Sequence, residues 1–317
     1  MADERNEDCT RVDLFSVSGG VGKTSLAVRL AQLEARRRGA PILLVDADIA
    51  GPCIGDILEG WASPPWDSAT NLLHLVCGRP EYLPEQLRPG KLPVYRVRDE
   101  CPAAVEDRAP RIVSEAIRAP AILFCPSHVH TTSPRIEPAV VYALLGHESA
   151  GGWIGYVIDE VIRETMALME GRLSGVIVDH GSSLGALQSV TLRACFEAPP
   201  SGPGSARRAV MVTTLEASPL ASARDLSGRL SALATRVPAA SRAAAAERMV
   251  WVVNRVPPGE PDFKASIKRR YPRNDAWVDR ALPVRSDPGM SRRAGDAVGP
   301  PAALDEDLER LRGRVFG

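Results

Sequence analysis

Six short apolar runs punctuate the chain: VDLFSV (12–17), PILLVD (41–46), AILFCPS (121–127), GVIVDH (175–180), AVMVTT (209–214) and MVWVVN (249–254). None alternates cleanly between apolar and polar positions, which is the pattern of strands buried on both faces. Helical patterns lie between them. Residues 23–38 form one, stopped by Gly39, and residues 219–237 form another, opened by Ser218-Pro219 and stopped before Pro238. Strands alternating with helices predict an α/β fold, a doubly wound and mostly parallel sheet with helices on both faces. Residues 60–70 and 197–207 are rich in Pro, Gly and Ser and read as loops, while 78–118 is rich in Pro and Arg around one short strand, LPVYRV. No composition shift marks a boundary, so residues 1–317 read as a single domain with an insertion around 60–118.

Composition narrows this picture only slightly. The formal net charge is zero, which argues against a binder driven by bulk charge, and 44% hydrophobic with 25% charged residues is ordinary for a globular protein. Only four lysines stand beside 35 arginines, a bias that carries no function by itself. The six cysteines (Cys9, Cys53, Cys77, Cys101, Cys125, Cys195) form no C-x-x-C pair and read as reduced thiols. The N-terminal MADERNEDCTR has no signal-peptide core, and no apolar stretch approaches the roughly 18 residues of a membrane span, so a cytoplasmic location is expected.

The chemistry concentrates between a strand and a helix. Residues 16–25 read Ser-Val-Ser-Gly-Gly-Val-Gly-Lys-Thr-Ser. Glycines let the backbone turn tightly and offer consecutive N–H groups to an anion, and the following helix adds the positive end of its dipole. Lys23 has the reach for β- and γ-phosphates, and the Thr24 hydroxyl suits Mg2+. Arginine's planar fork does not replace a compact ammonium in such a cradle, which explains a lysine here. The strand at 41–46 runs into Asp46-Ala-Asp48, and the strand at 175–180 carries Asp179 near its end. In parallel sheets these ends line the ligand crevice, where carboxylates can hold a metal and orient water.

The ordered set SGGVGKTS, LLVDADIAGPCIG, VIVDHG, VTTLEASPLASARDL and VWVVNRV resembles the ParA/MinD superfamily of P-loop ATPases over most of the chain. The resemblance implies an ATP- and Mg2+-dependent switch that forms a homodimer in its ATP state, with an activating or cargo protein as partner. It implies that Ser18, Gly19, Gly20, Val21, Gly22, Lys23, Thr24 and Ser25 hold the phosphates. Thr24, Asp46 and Asp179 would serve the metal, Lys23 and Asp48 would act in catalysis, and Asn254 and Asp287 would meet the adenine. The sequence departs from the family in two places. The signature lysine of the deviant Walker A motif is Ser18 here, which removes the family's contact to the partner's phosphate in trans. Some carboxysome-positioning relatives also lack it, and an arginine in trans could replace the charge. The second switch reads Asp179-His180-Gly181-Ser182-Ser183 where Asp-x-Pro-x-Gly is usual.

The most direct reading is a switch ATPase that positions or partitions DNA or a cellular assembly. A non-hydrolysing ATP sensor and a metal- or cofactor-insertion ATPase, with Cys53 as its only candidate thiol, are the alternatives. Iron–sulfur transfer lacks the C-x-x-C it needs. Residues 264–273 hold five bases and no acid, so Lys264, Lys268, Arg269, Arg270 and Arg273 could grip DNA non-specifically, although a solvated helix face explains them too. Leu304, Leu308, Leu311 and Val315 share one face of a C-terminal helix whose acidic first turn favours packing over a membrane tail. His128 and His130 have no third metal ligand nearby in sequence. His180 projects differently from Asp179, which argues against a catalytic role.

Overall fold

The computed structural model describes residues 9–49, 51, 54, 71–78, 80–88, 91–97, 122–127, 148–182, 185–197, 207–234, 239–257, 260, 262–272, 276–286 and 302–317. Their strands are β1 (Thr10–Phe15), β2 (Ile42–Ala47), β3 (Tyr95–Val97), β4 (Ile122–Cys125), β5 (Gly175–His180), β6 (Arg207–Thr214), β7 (Met249–Val256) and β8 (Leu282–Arg285). They form one sheet in the order β3-β4-β2-β5-β1-β6-β7-β8. Every pair is parallel except β3 with β4, which adds an antiparallel edge.

The helices are α1 (Lys23–Arg38), α2 (Leu72–Cys77), α3 (Leu83–Gln86), α4 (Glu148–Leu168), α5 (Ala186–Glu197), α6 (Ala217–Ala234), α7 (Ala239–Arg248), α8 (Phe263–Arg270), α9 (Ala276–Arg280) and α10 (Ala302–Phe316). They cover the sheet on both sides. On one face Val12, Leu14, Leu44, Ile177 and Val252 pack with α1 and α10. On the other, Leu43, Val45, Val176 and Val178 meet α2 and α4, while Phe15, Met211, Trp251 and Val253 meet α5, α6, α8 and α9. All six residues of β2 and all six of β5 are buried. Double coverage explains why these strands read as continuous apolar runs.

The structure adds elements that periodicity did not signal. The helix α4 opens with Gly151 and Gly152, weak helix formers that mask its pattern. Gly151 is there for close packing: a Cβ on it would stand 2.5 Å from the backbone carbon of Ala186 in α5. The strand β8 contains Pro283, which an edge position tolerates because one side of its backbone needs no ladder partner. Within 60–118, the described residues include α2, α3 and β3, and β3 pairs with the β4 edge. The loop read at 60–70 and most of that at 197–207 lie outside the described residues. Gly39 ends α1 as read from the sequence, its N–H on the Ala35 carbonyl at 2.9 Å.

A candidate nucleotide-phosphate site at the strand ends

Residues 16–22 join β1 to α1 at the carboxyl edge of the central strands. Gly22 is the N-cap of α1 and sits at φ 78°, a left-handed conformation that a side chain strains. Space demands glycine as well, because a Cβ at this position would come within 2.6 Å of Asn254 Nδ2. Asn254, at the end of the regular β7 ladder with β6, donates that same nitrogen to the Val21 carbonyl at 2.8 Å. The loop is therefore tied to a neighbouring strand as well as to its own helix, where Leu26 N–H donates to the Gly22 carbonyl at 3.0 Å.

Lys23 opens α1 and is buried, with Nζ 2.5 Å from Asp179 Oδ1 on β5. The parallel register sets Asp46 of β2 directly beside Asp179. Two buried carboxylates at one level share a single lysine. Burial pushes the Asp46 carboxyl well above the usual carboxylate range, the negative charge of Asp179 pushes it the same way, and the backbone N–H of Asp48 opposes both. Asp46 accepts from Asp48 N–H at 3.0 Å and Ile54 N–H at 3.4 Å, so it shapes the chain beyond β2. Asp48 itself lines the cleft. Its Oδ1 accepts from Gly51 N–H at 3.0 Å, and a Cβ on Gly181 would lie 2.9 Å from the same oxygen. The Asp48 carboxylate thus fills the space between the segment after β2 and the segment after β5.

These groups enclose a cleft of about 500 Å3 lined by Ser16, Ser18 to Ser25, Asp48, Gly51, Ser182 and Arg255. Asp179 Oδ2 and Ser16 Oγ are buried with no hydrogen-bond partner among the described residues. An orphaned carboxylate oxygen, a second carboxyl driven towards protonation and the Thr24 hydroxyl at the cleft wall together fit a hard divalent cation such as Mg2+. The open glycine backbone fits a phosphate chain: a Cβ on Gly20 would meet nothing within 4 Å.

The sequence profile of the CobQ/CobB/MinD/ParA nucleotide binding domain matches residues 14–289. The chain belongs to the CobQ/CobB/MinD/ParA family. No curated protein sequence matches it. Solved structures with a similar fold include McdA from Cyanothece, without nucleotide (14% identity, 97% of this chain and 99% of that one, TM-score 0.57) and as an ATP complex (14%, 98% and 97%, 0.56). A plasmid partition protein from Borrelia burgdorferi is similar over 97% of this chain and 100% of its own, at 12% identity and TM-score 0.52. The MinC:MinD cell division complex of Aquifex aeolicus matches at 15% identity, 96% of each chain and TM-score 0.51.

Within this CobQ/CobB/MinD/ParA domain the residues read from sequence do not all share one wall. Ser18 to Ser25 and Asp48 line the cleft, Asp46 and Asp179 lie beneath it, and Asn254 braces the loop from behind. Asp287, Arg273, Cys53, His128 and His130 lie outside the described residues. Sequence reasoning did not single out Ser16, Gly51, Gly181, Ser182 or Arg255 as site residues. Arg255 had a usable signal, since it directly follows Asn254 at a strand end.

His180 turns away from the cleft. Its buried ring stacks on Phe15 (centroids 4.5 Å apart, planes 9° apart), and Nε2 lies 2.9 Å from Asp13 Oδ1. Asp13, with no exposed surface, also accepts from Arg11 and from Arg207 Nε at 2.8 Å, and Arg11 continues to Asp159 of α4. Burial lowers the His180 pKa, and the hydrogen bond to Asp13 only partly opposes it. The residue that follows Asp179 is thereby anchored to a buried ion network spanning β1, β5 and β6.

The basic cluster acquires an acid in three dimensions. Lys264 Nζ donates to the Asp279 carbonyl and Lys268 Nζ to its carboxylate, each at 2.5 Å. Arg270 donates to the Leu215 carbonyl at 2.9 Å. The helix α10 packs with Leu308, Leu311 and Val315 buried, and the side chain of Leu304 lies outside the described residues. Arg312 pairs with Glu34 of α1 at 3.1 Å. No helix among the described residues is long and apolar enough to cross a membrane.

Proposed function

We propose that the chain is an ATP-dependent switch of the ParA/MinD kind, dimerising with ATP and positioning DNA or a cellular assembly through a partner protein. The observation that carries this reading is Asp48: it lines the phosphate cleft and is wedged between Gly51 and Gly181, so both switch segments meet at one carboxylate. A γ-phosphate entering the cleft meets that carboxylate and biases both segments together.

The roles combine the positions of the described residues with the family resemblance. Backbone N–H groups of residues 19–24 cradle the phosphates, and Ser25 meets the α-phosphate. Lys23 exchanges part of its contact with Asp179 for the β- and γ-phosphate oxygens. Thr24, Asp179 and Asp46 would hold Mg2+, which when bound neutralises phosphate charge. Asp48 orients water for attack on the γ-phosphorus; the new P–O bond forms as the bond to the bridging oxygen breaks, and the leaving oxygen ends on ADP. Asn254 holds the loop; for Asn254 and Asp287 a contact with the adenine rests on the family resemblance alone. A structure of similar fold is solved with ATP and another as a two-protein complex, which supports nucleotide and partner alike.

A second reading, an ATP sensor that does not hydrolyse, is favoured by Ser18 and by the second switch lacking its usual proline. ATPase rate and oligomeric state, measured on one preparation with and without DNA, separate the two. The switch reading expects slow Mg2+-dependent hydrolysis, lost in Lys23→Ala and Asp48→Ala, and ATP-driven dimers that weaken in Asp48→Ala because the carboxylate joining the two segments is gone. Tight ATP binding with no turnover in the unaltered protein selects the sensor.

A further inference from the structure

We propose that Arg255 is a second cationic contact for the nucleotide's phosphates, made in cis from β7; this rests on the reading of the cleft as a triphosphate site. The strand pairing of β7 with β8 shifts register between Val253 and Val256, and Arg255 sits within that irregularity at φ 56°. A left-handed conformation suits glycine or asparagine, and a long side chain there is strained. From this position the side chain reaches the phosphate loop. Arg255 lines the cleft, and a Cβ on Gly22 would lie 3.6 Å from its Nε and 3.7 Å from one terminal nitrogen.

This is an electrostatically poor place for a guanidinium without an anion. Gly22 caps the N-terminus of α1, the positive end of its dipole, and like charges repel there. Arg255 makes no hydrogen bond or ion pair with any described residue that would offset the repulsion. Lys23 and Arg255 are the two cations among the described residues lining the cleft, and Lys23 is already engaged by Asp179. Strained backbone, helix-end repulsion and an exposed guanidinium with no partner among the described residues are all answered by one occupant, an oxyanion held between Arg255 and the loop. Arginine suits such a contact because its planar donors match phosphate oxygens.

Arg255→Gly removes the guanidinium and relaxes the backbone, so stability and affinity should move in opposite directions. Displacement of a fluorescent ATP analogue by ATP gives the affinity, and thermal unfolding without nucleotide gives the stability. The expected result is a Kd for ATP raised about tenfold or more, with Tm unchanged or raised, and partial recovery in Arg255→Lys. The loss should shrink between about 50 mM and about 500 mM KCl, because salt screens an exposed charge contact. Unchanged ATP affinity in Arg255→Gly overturns the proposal, as does a loss that is independent of salt. Lys23→Ala, run alongside, checks the cleft itself. If the unaltered protein binds no ATP, the cleft reading falls and this inference with it; if it binds ATP and only Lys23→Ala weakens it, the inference alone falls.

Discussion

Gly22 and Asn254 are coupled residues, and their coupling is measurable. Gly22→Ala forces a Cβ to 2.6 Å from Asn254 Nδ2 and places a side chain at φ 78°. The left-handed backbone alone costs about 1–2 kcal/mol. Asn254→Ala removes the donor to the buried Val21 carbonyl, at about 1–3 kcal/mol. In the double variant the clash is gone while the backbone strain remains, so urea unfolding should show a combined loss smaller than the sum of the two. ATP affinity should fall in all three. Additive losses would mean that the two residues do not touch. At this scale much of the site was legible: residues 18–25 and Asp48 follow from glycines, a lysine and a carboxylate at strand and helix ends. The role of Asn254 as a brace was not, because the Val21 carbonyl it holds is 233 positions away. Gly181 escaped for a related reason, since a Cβ-free approach leaves no local pattern, whereas Arg255 was marked only by its place directly after Asn254.

The element scale shows how β1 can carry charge in its centre. Asp13 is buried in a strand covered on both faces, and desolvation alone would raise its pKa; the Arg11 and Arg207 charges and the His180 hydrogen bond outweigh it and hold the carboxyl well below the usual range. The folded value lies below the unfolded one, so this stabilisation is fully present above about pH 4 and is lost as pH falls through the folded value. Asp13→Asn should therefore cost about 3–5 kcal/mol near neutrality, because it takes the shared carboxylate from the half-buried Arg11 and Arg207 and leaves Arg11 only Asp159. The gap to the unaltered protein should narrow on acidification below about pH 4, as read by urea unfolding across pH. A gap constant with pH would assign the loss to packing. For α10, Leu311→Ala should cost about 2–5 kcal/mol, the expectation for a fully buried leucine. An unchanged unfolding midpoint would instead describe a tail that detaches freely from the sheet. Strands and α1 were readable because burial on both faces writes continuous apolar runs. The helix α4 and the strand β8 were not, because their glycines and proline answer to neighbours in space.

For the whole molecule, zero net charge leaves any DNA contact to a local arrangement, and α8 is the place to test it. Five bases without an acid in sequence overstate its field, because α9 brings Asp279 onto Lys268. Arg270 commits one donor to the Leu215 carbonyl after β6, so its removal disturbs packing as well as charge. Lys268→Ala with Arg269→Ala is consequently the cleaner neutralisation. Both side chains are exposed, and neither anchors the core. Removing one phosphate-binding cation should flatten the dependence of log affinity on log salt by about 0.9. Asp279→Asn works in the opposite sense. It frees Lys268 from its ion pair, so retention on DNA should strengthen and its salt dependence should steepen by about the same amount. Opposite shifts from the two variants, larger with ATP than without, describe a DNA track gripped by the nucleotide-bound dimer. If the unaltered protein is not retained on DNA at about 50 mM salt, and Asp279→Asn does not change that, α8 is a solvated face and the surface that receives the switch lies elsewhere on the molecule.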